Sequence, residues 1–577
     1  MDVVKHIFSP IVALIAYFAL TACGTLYHTD ANPPDQYNLV KIFPTGTNPS
    51  VKFDASIMAS SVLDMSHGQP RIIVPVSNGV LAALDAQNGA LLWELNVPAP
   101  EGQQVQLVAS PVMVDGKLVV VYQCLDKGIR TSHRLAVLDL AGNQWDSQFP
   151  VLTFAAERPT ADGKAAVKFN PPTAYSHAAL KSWKPKGSKL GYVYVGFGNA
   201  ADVQPFHGWL FEIDLDAWRQ SGVSQAIKNV LLTTAEADCP SKMEYGTQEM
   251  ICGGGIWGPA GPLLEQTGDG MELFVPTGNG QVDLARHDYA NAVLRVKPGL
   301  QFDDGCDAKL CANFKPLNPD LACLASCKNL FIPRLAPGNA PLKPPYHECD
   351  GKGFWECLAW MDYDLGANTP VQIKLKDGRS VLVQTGKEGG AYLVDARHLG
   401  IQYDRLQIAE LCGSPTDLCK LSWAGMIVTH PVQLTVDGEP IVVIPTFSPD
   451  KTNVAGVVAI KIVVENGSPK LKPFWRYPDA KHPDALEMFR SHPSFPALST
   501  HLGNAGDATV WVVDIGANGI LYGIRAKDGV LVAKQRLQGS GRQLSMPLIV
   551  GDKIYLASIM PSTGKAMIEA YRIELAK

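Results

Sequence analysis

The chain has 577 residues, 46% apolar and 18% charged, with 52 glycines and 42 prolines. That balance excludes a disordered or fibrous protein and fits a turn-rich, strand-rich one. A formal net charge of −5 leaves no basic footprint for nucleic acid.

Lys5 and His6 precede an apolar run from Phe8 to Ala19 that ends in Leu20-Thr21-Ala22-Cys23. A short apolar core followed by small residues reads as a signal peptide over 1–22, not a spanning helix. The Leu-Thr-Ala-Cys ending resembles the signal of bacterial lipoproteins. That resemblance implies lipidation of Cys23 and, with Gly24 next, an outer-membrane address on its periplasmic or cell-surface face. Residues 23–36 are polar and read as a tether, so the lipid is the only expected membrane contact.

The remaining chain, 37–577, reads as a single β-propeller. At 71–93 two β-runs flank Asn78-Gly79, a strong hairpin signal, and a turn leads on to Leu91-Leu92-Trp93. Weaker copies begin near Ile57, Val108, Tyr175, Ile256, Gly366, Val428, Arg490 and Gln543. Eight starts give eight blades, with a seven-bladed ring as the alternative. The last unit has three strands, and Tyr37–Phe43 is a spare strand that would close the ring and remove an exposed edge. Residues 146–171 form a polar excursion. Residues 303–357, with six cysteines and seven prolines, form an insertion of lid-like length.

Export permits disulfides. Local pairs are Cys239–Cys252, Cys306–Cys311, Cys323–Cys327, Cys349–Cys357 and Cys412–Cys419, with Cys124 left over. Spacing does not fix the connectivity. A zinc site of Cys306, Cys311, Cys323 and Cys327 is the rival reading. The haem-attachment pattern Cys-x-x-Cys-His is absent from the sequence.

The pattern Ala83-x-Asp85-x-x-x-Gly89-x-x-x-Trp93 resembles the blade-docking motif of propellers related to pyrroloquinoline quinone enzymes. Blades three to five resemble the quinoprotein alcohol dehydrogenases more closely. Gly253-Gly254-Gly255-Ile256-Trp257 matches the segment whose tryptophan underlies the quinone. Thr277-Gly278-Asn279 matches a strand end whose amide binds the metal. Gly196-Phe197-Gly198-Asn199 leads to Asp202, where the family has a metal-binding glutamate. Asp362-Tyr363-Asp364 matches the catalytic aspartate and, two residues on, the extra ligand of the lanthanide-using branch. Gln384-Thr385-Gly386-Lys387 matches the strand end that contacts the quinone oxygens.

The resemblance implies Asp362 as base and Trp257 and Lys387 as contacts for pyrroloquinoline quinone. It further implies Asp202, Asn279 and Asp364 as ligands of calcium or a lanthanide. It implies oxidation of a small alcohol or aldehyde, with a separate electron acceptor. The family's adjacent cysteines are missing, Asp202 is one methylene short of glutamate, and the arginine for the quinone carboxylates has no counterpart. Two alternatives share the fold: a quinone-free hydrolase of the tetrathionate hydrolase type using the same aspartates, and a non-enzymatic outer-membrane assembly scaffold. Finally, His177, His430 and His492 recur at equivalent blade entries near the propeller axis, as candidates for a channel site holding an anionic substrate or a second metal.

Overall fold

A computed structural model describes residues 37–199, 206–235, 253–267, 270–280, 282–314, 320–335, 354–360, 362–409, 427–447, 455–478, 489, 493–500, 508–515, 519–541 and 545–576. It is an eight-bladed β-propeller. The blades are antiparallel sheets spanning 62–96, 104–153, 174–232, 263–331, 371–407, 432–477 and 497–536, and lastly 540–575. Tyr37–Phe43 lies along the outer strand of the eighth sheet, from Tyr37 opposite Leu575 to Phe43 opposite Ala570. First and last segments thus share one sheet, and the ring has no open seam.

Successive residues of a strand face opposite sides of its sheet. Here both sides are buried, because each blade packs between two others. In blade 1, Ile72, Val74, Ala82 and Leu84 pack toward blade 8, while Ile73, Leu81 and Ala83 pack toward blade 2. The middle strands therefore read as continuous apolar runs rather than alternating ones. The core is eight such seams, one between each neighbouring pair of blades.

The docking motif has a physical basis. Asp85 Oδ1 accepts from Gln87 N at 2.7 Å, which tightens the turn. Gly89 then lies flat on the Phe43 ring, and a methyl there would come within 2.7 Å of it. Blade 7 repeats the device. Gly529 covers the Trp475 indole, whose Nε1 donates to Ala526 O at 2.8 Å.

The excursion at 146–171 is polar in sequence yet anchored by apolar side chains. Phe149, Phe154 and Phe169 enter the seam of blades 2 and 3 with Phe197, Phe211 and Trp218. Its hairpin pairs Glu157–Pro159 with Ala166–Lys168.

The disulfides differ from the local pairs expected. The bonds are Cys306–Cys327 and Cys311–Cys323, one loop nested inside the other. Cys306–Cys311 and Cys323–Cys327 are not formed. The chain returns on itself here: Asn329 N donates to Asp304 O at 2.9 Å, which sets the two ends of the loop side by side. The helix Leu321–Ser326 carries Cys323 back toward Cys311. The four sulfurs of the zinc reading do gather, three of them within 4.8 Å of one another, but as paired disulfides. Cys124 is free and buried. The other expected pairs, with Cys23, the signal peptide and the tether, fall outside the described residues or their side chains. Among the described residues no helix is long and apolar enough to cross a membrane.

Candidate functional site

Two strand ends and two blade entries meet at the site. The second strand of blade 4, Gly270–Pro276, runs out into Thr277-Gly278-Asn279. Gly278 N donates to Gly255 O at 2.9 Å, and Gly254 N to Asn279 O at 2.8 Å, so the Gly253–Gly255 run is zipped to that end. Trp257 follows directly, held by His177, whose Nδ1 lies 3.0 Å from Trp257 O. The corresponding strand of blade 5, Ser380–Thr385, ends in the turn that carries Lys387.

Asp362 and Asp364 enter from the segment before blade 5. Asp362 has a positive φ of 54°, a left-handed conformation that aspartate adopts more readily than most residues. Asn291 Oδ1 accepts from Leu365 N at 3.0 Å and fixes the loop just after Asp364.

Lys387 joins the two acids. Its Nζ is 3.1 Å from Asp362 Oδ2 and 2.7 Å from Asp364 Oδ2. The other oxygen of Asp364 accepts from Asn279 N. All three charged groups are buried, with exposures of 3% for Lys387, 6% for Asp362 and 2% for Asp364. Lys387 Nζ also stands 5.0 Å from the Trp257 ring centroid, within cation–π range. This packing requires glycine at 278. A methyl there would lie 2.8 Å from Asp364 Oδ1 and 3.1 Å from Trp257 Nε1.

Asp362, Asp364, Asn279, Lys387 and Trp257 are thus brought together. Asp202 and His492 lie outside the described residues. His177 contacts the Trp257 backbone, whereas His430 bonds to Thr369 O at 3.1 Å, away from the acids. Glu388 escaped the sequence reading. It is buried behind Lys387, accepts from Tyr392 Oη at 2.6 Å and stands 3.8 Å from Arg405. Burial pushes its carboxyl up, against the pull of Arg405. A glutamate in a Lys-Glu-Gly-Gly hairpin normally faces water, so the sequence carried no signal for it.

The residues suit a hard cation and a flat ring. Two buried carboxylates face one ammonium. Asp364 and Asn279 are the oxygen donors such a cation takes. Trp257 supplies an indole plane. A cation at Asp364 would have to share that carboxylate with Lys387.

The comparisons with known proteins agree with this architecture. Residues 51–163 match the family model described as outer membrane protein assembly factor BamB. The quinohemoprotein alcohol dehydrogenase of Pseudomonas putida HK5 superposes with a TM-score of 0.53 at 12% identity, over 94% of this chain and 78% of that one. The chain has the fold of the pyrroloquinoline quinone-like β-propellers. A europium-containing methanol dehydrogenase superposes with a TM-score of 0.52 at 12% identity, over 93% of each chain. No curated protein matches this propeller by sequence.

Proposed function

We propose that this protein is an extracytoplasmic quinone-dependent oxidoreductase that oxidises a small alcohol or aldehyde. We further propose that it is exported by its N-terminal signal and anchored to the outer membrane through Cys23. The observation that carries the enzymatic reading is the buried Asp362–Lys387–Asp364 cluster against Trp257. Propeller strand ends are ordinarily closed by turns. Buried carboxylates are costly there unless they are paired or bind something.

Asp364 and Asn279, with Asp202, would hold calcium or a lanthanide, and Trp257 would take the face of pyrroloquinoline quinone. When bound, the quinone supplies the two-electron acceptor chemistry. Asp362 would take the substrate hydroxyl proton as general base. Lys387 would hold that carboxylate in place and offset negative charge developing beside it. Electrons would leave to a separate acceptor.

The test is turnover of short alcohols and aldehydes with an artificial acceptor, after loading with pyrroloquinoline quinone and Ca²⁺ or La³⁺. Asp362→Asn should lower turnover by about 10²–10⁴-fold while quinone still binds. A wild-type protein that neither binds quinone nor turns over any substrate would sink the proposal. The match over 51–163 favours a second reading, an assembly scaffold. In that reading Asp362→Asn would leave the biological role intact.

A further inference from the structure

Beneath the Trp257 floor, four consecutive blades meet through their entry segments. A methyl at Gly261 of blade 4 would come within 3.2 Å of Lys181 Cε of blade 3. Thr369 Oγ1 of blade 5 donates to Gly261 O. Thr369 O in turn faces His430 Nδ1 of blade 6 at 3.1 Å. Thr369 lies two residues before Val371, which pairs with Val383, so the antiparallel register brings it close to Thr385. Thr385 ends its strand two residues before Lys387 in the turn.

Lys181 opens the innermost strand of its blade, Lys181–Trp183, and His430 stands just before the innermost strand Val432–Val436. Both keep partial exposure, which at that position is exposure to the channel. Among the described residues, Lys181 Nζ makes no ion pair and no hydrogen bond. Burial alone pushes its ammonium down to about 8, with no carboxylate opposing. It remains protonated at neutral pH. Burial and then the Lys181 charge push His430 down to about 4, so the imidazole is neutral at pH 7.

The carbonyl of Thr369 can only accept, so His430 Nδ1 carries the ring proton. His430 Nε2 is therefore an acceptor. An uncompensated ammonium and a bare acceptor nitrogen, linked through Gly261 and Thr369, ask for a ligand with both a negative oxygen and a hydroxyl. A bare metal ion is disfavoured by the ammonium, and a simple halide by the acceptor lone pair.

We propose that Lys181 and His430 form a channel site for a small oxyanion that carries its own hydroxyl, such as a 2-hydroxycarboxylate or hydrogencarbonate. The anionic oxygen pairs with Lys181 Nζ and the hydroxyl donates to His430 Nε2. The site is distinct from the acid cluster above it and stands whether or not a quinone binds there.

The test is calorimetric titration of the full chain with glycolate, hydrogencarbonate and acetate. Acetate has the charge of glycolate without the hydroxyl. Glycolate or hydrogencarbonate should bind, whichever is the better source of that chemistry, and acetate should bind at least about 10-fold more weakly. Lys181→Met should abolish binding, and His430→Phe should erase the preference for glycolate over acetate. Without ligand, Lys181→Met should raise the melting temperature, because it removes an unpaired buried charge. Equal binding of glycolate and acetate would overturn the proposal. So would binding that survives Lys181→Met, a lowered melting temperature in that variant, or no binding by any of the three.

Discussion

At the scale of single residues, Lys387 is the most exposed to test. Its ammonium pairs with both buried aspartates. Lys387→Met removes the ammonium that two buried carboxylates share, and should cost about 3–5 kcal/mol of stability in urea unfolding. The same change removes the cation that competes for Asp364. La³⁺ should then raise the melting temperature of Lys387→Met more than that of the wild type. A variant as stable as wild type would mean that the acids are neutral or otherwise paired. Gly278→Ala is the steric counterpart. It forces a methyl against Asp364 and Trp257, and should shift the Trp257 fluorescence while leaving the far-ultraviolet circular dichroism unchanged.

At the scale of elements, the closing strand and the nested loop make separate predictions. Tyr37–Phe43 contributes a fully buried Phe43, the Lys41–Glu569 ion pair at 3.2 Å, and one side of the blade 8 ladder. Removing residues 37–43 uncovers that ladder and the Gly89 turn together. It should lower the melting temperature of the whole ring in one transition rather than free a single blade. A second, low-temperature transition would show instead that blade 8 unfolds independently. For the insertion, peptide mapping without reductant should recover 306 linked to 327 and 311 linked to 323. The pairing was not legible in the sequence, because distant packing sets it. Gly400 N donates to Cys327 O at 2.8 Å and Leu399 N to Lys328 O at 3.0 Å, binding the loop to blade 5.

At the scale of the whole molecule, much of the fold could be read in advance. Propeller strands bury both faces, so their apolar runs stand out between Asn-Gly and Asp-x-x-x-Gly turns. Of the site, the readable residues were those beside such turns: Trp257 after its glycines, Asn279 and Lys387 at strand ends, Asp364 at a blade entry. Glu388 and Lys181 were not legible, since only the ring closure decides that a hairpin glutamate or an entry-strand lysine turns inward. Burial also sets the acid response. His133, wholly buried against Phe169 and Phe197, is pushed down to about 4 by desolvation. The unfolded chain therefore binds its proton first as pH falls. Stability is full above about pH 6.5 and declines toward pH 4, with about 3 kcal/mol at stake for this group. His133→Phe should flatten that decline in melting temperature, and an unchanged pH profile would place the sensitivity elsewhere.

We propose the cluster on Trp257 as a cation-dependent quinone site. Fluorescence titration of the protein with pyrroloquinoline quinone, with and without Ca²⁺ or La³⁺, tests it most directly. Saturable quenching is expected at one quinone per chain, dependent on the cation and weakened at least about 10-fold by Asp364→Ala. Quenching that is absent, or indifferent to both the cation and Asp364, would contradict it.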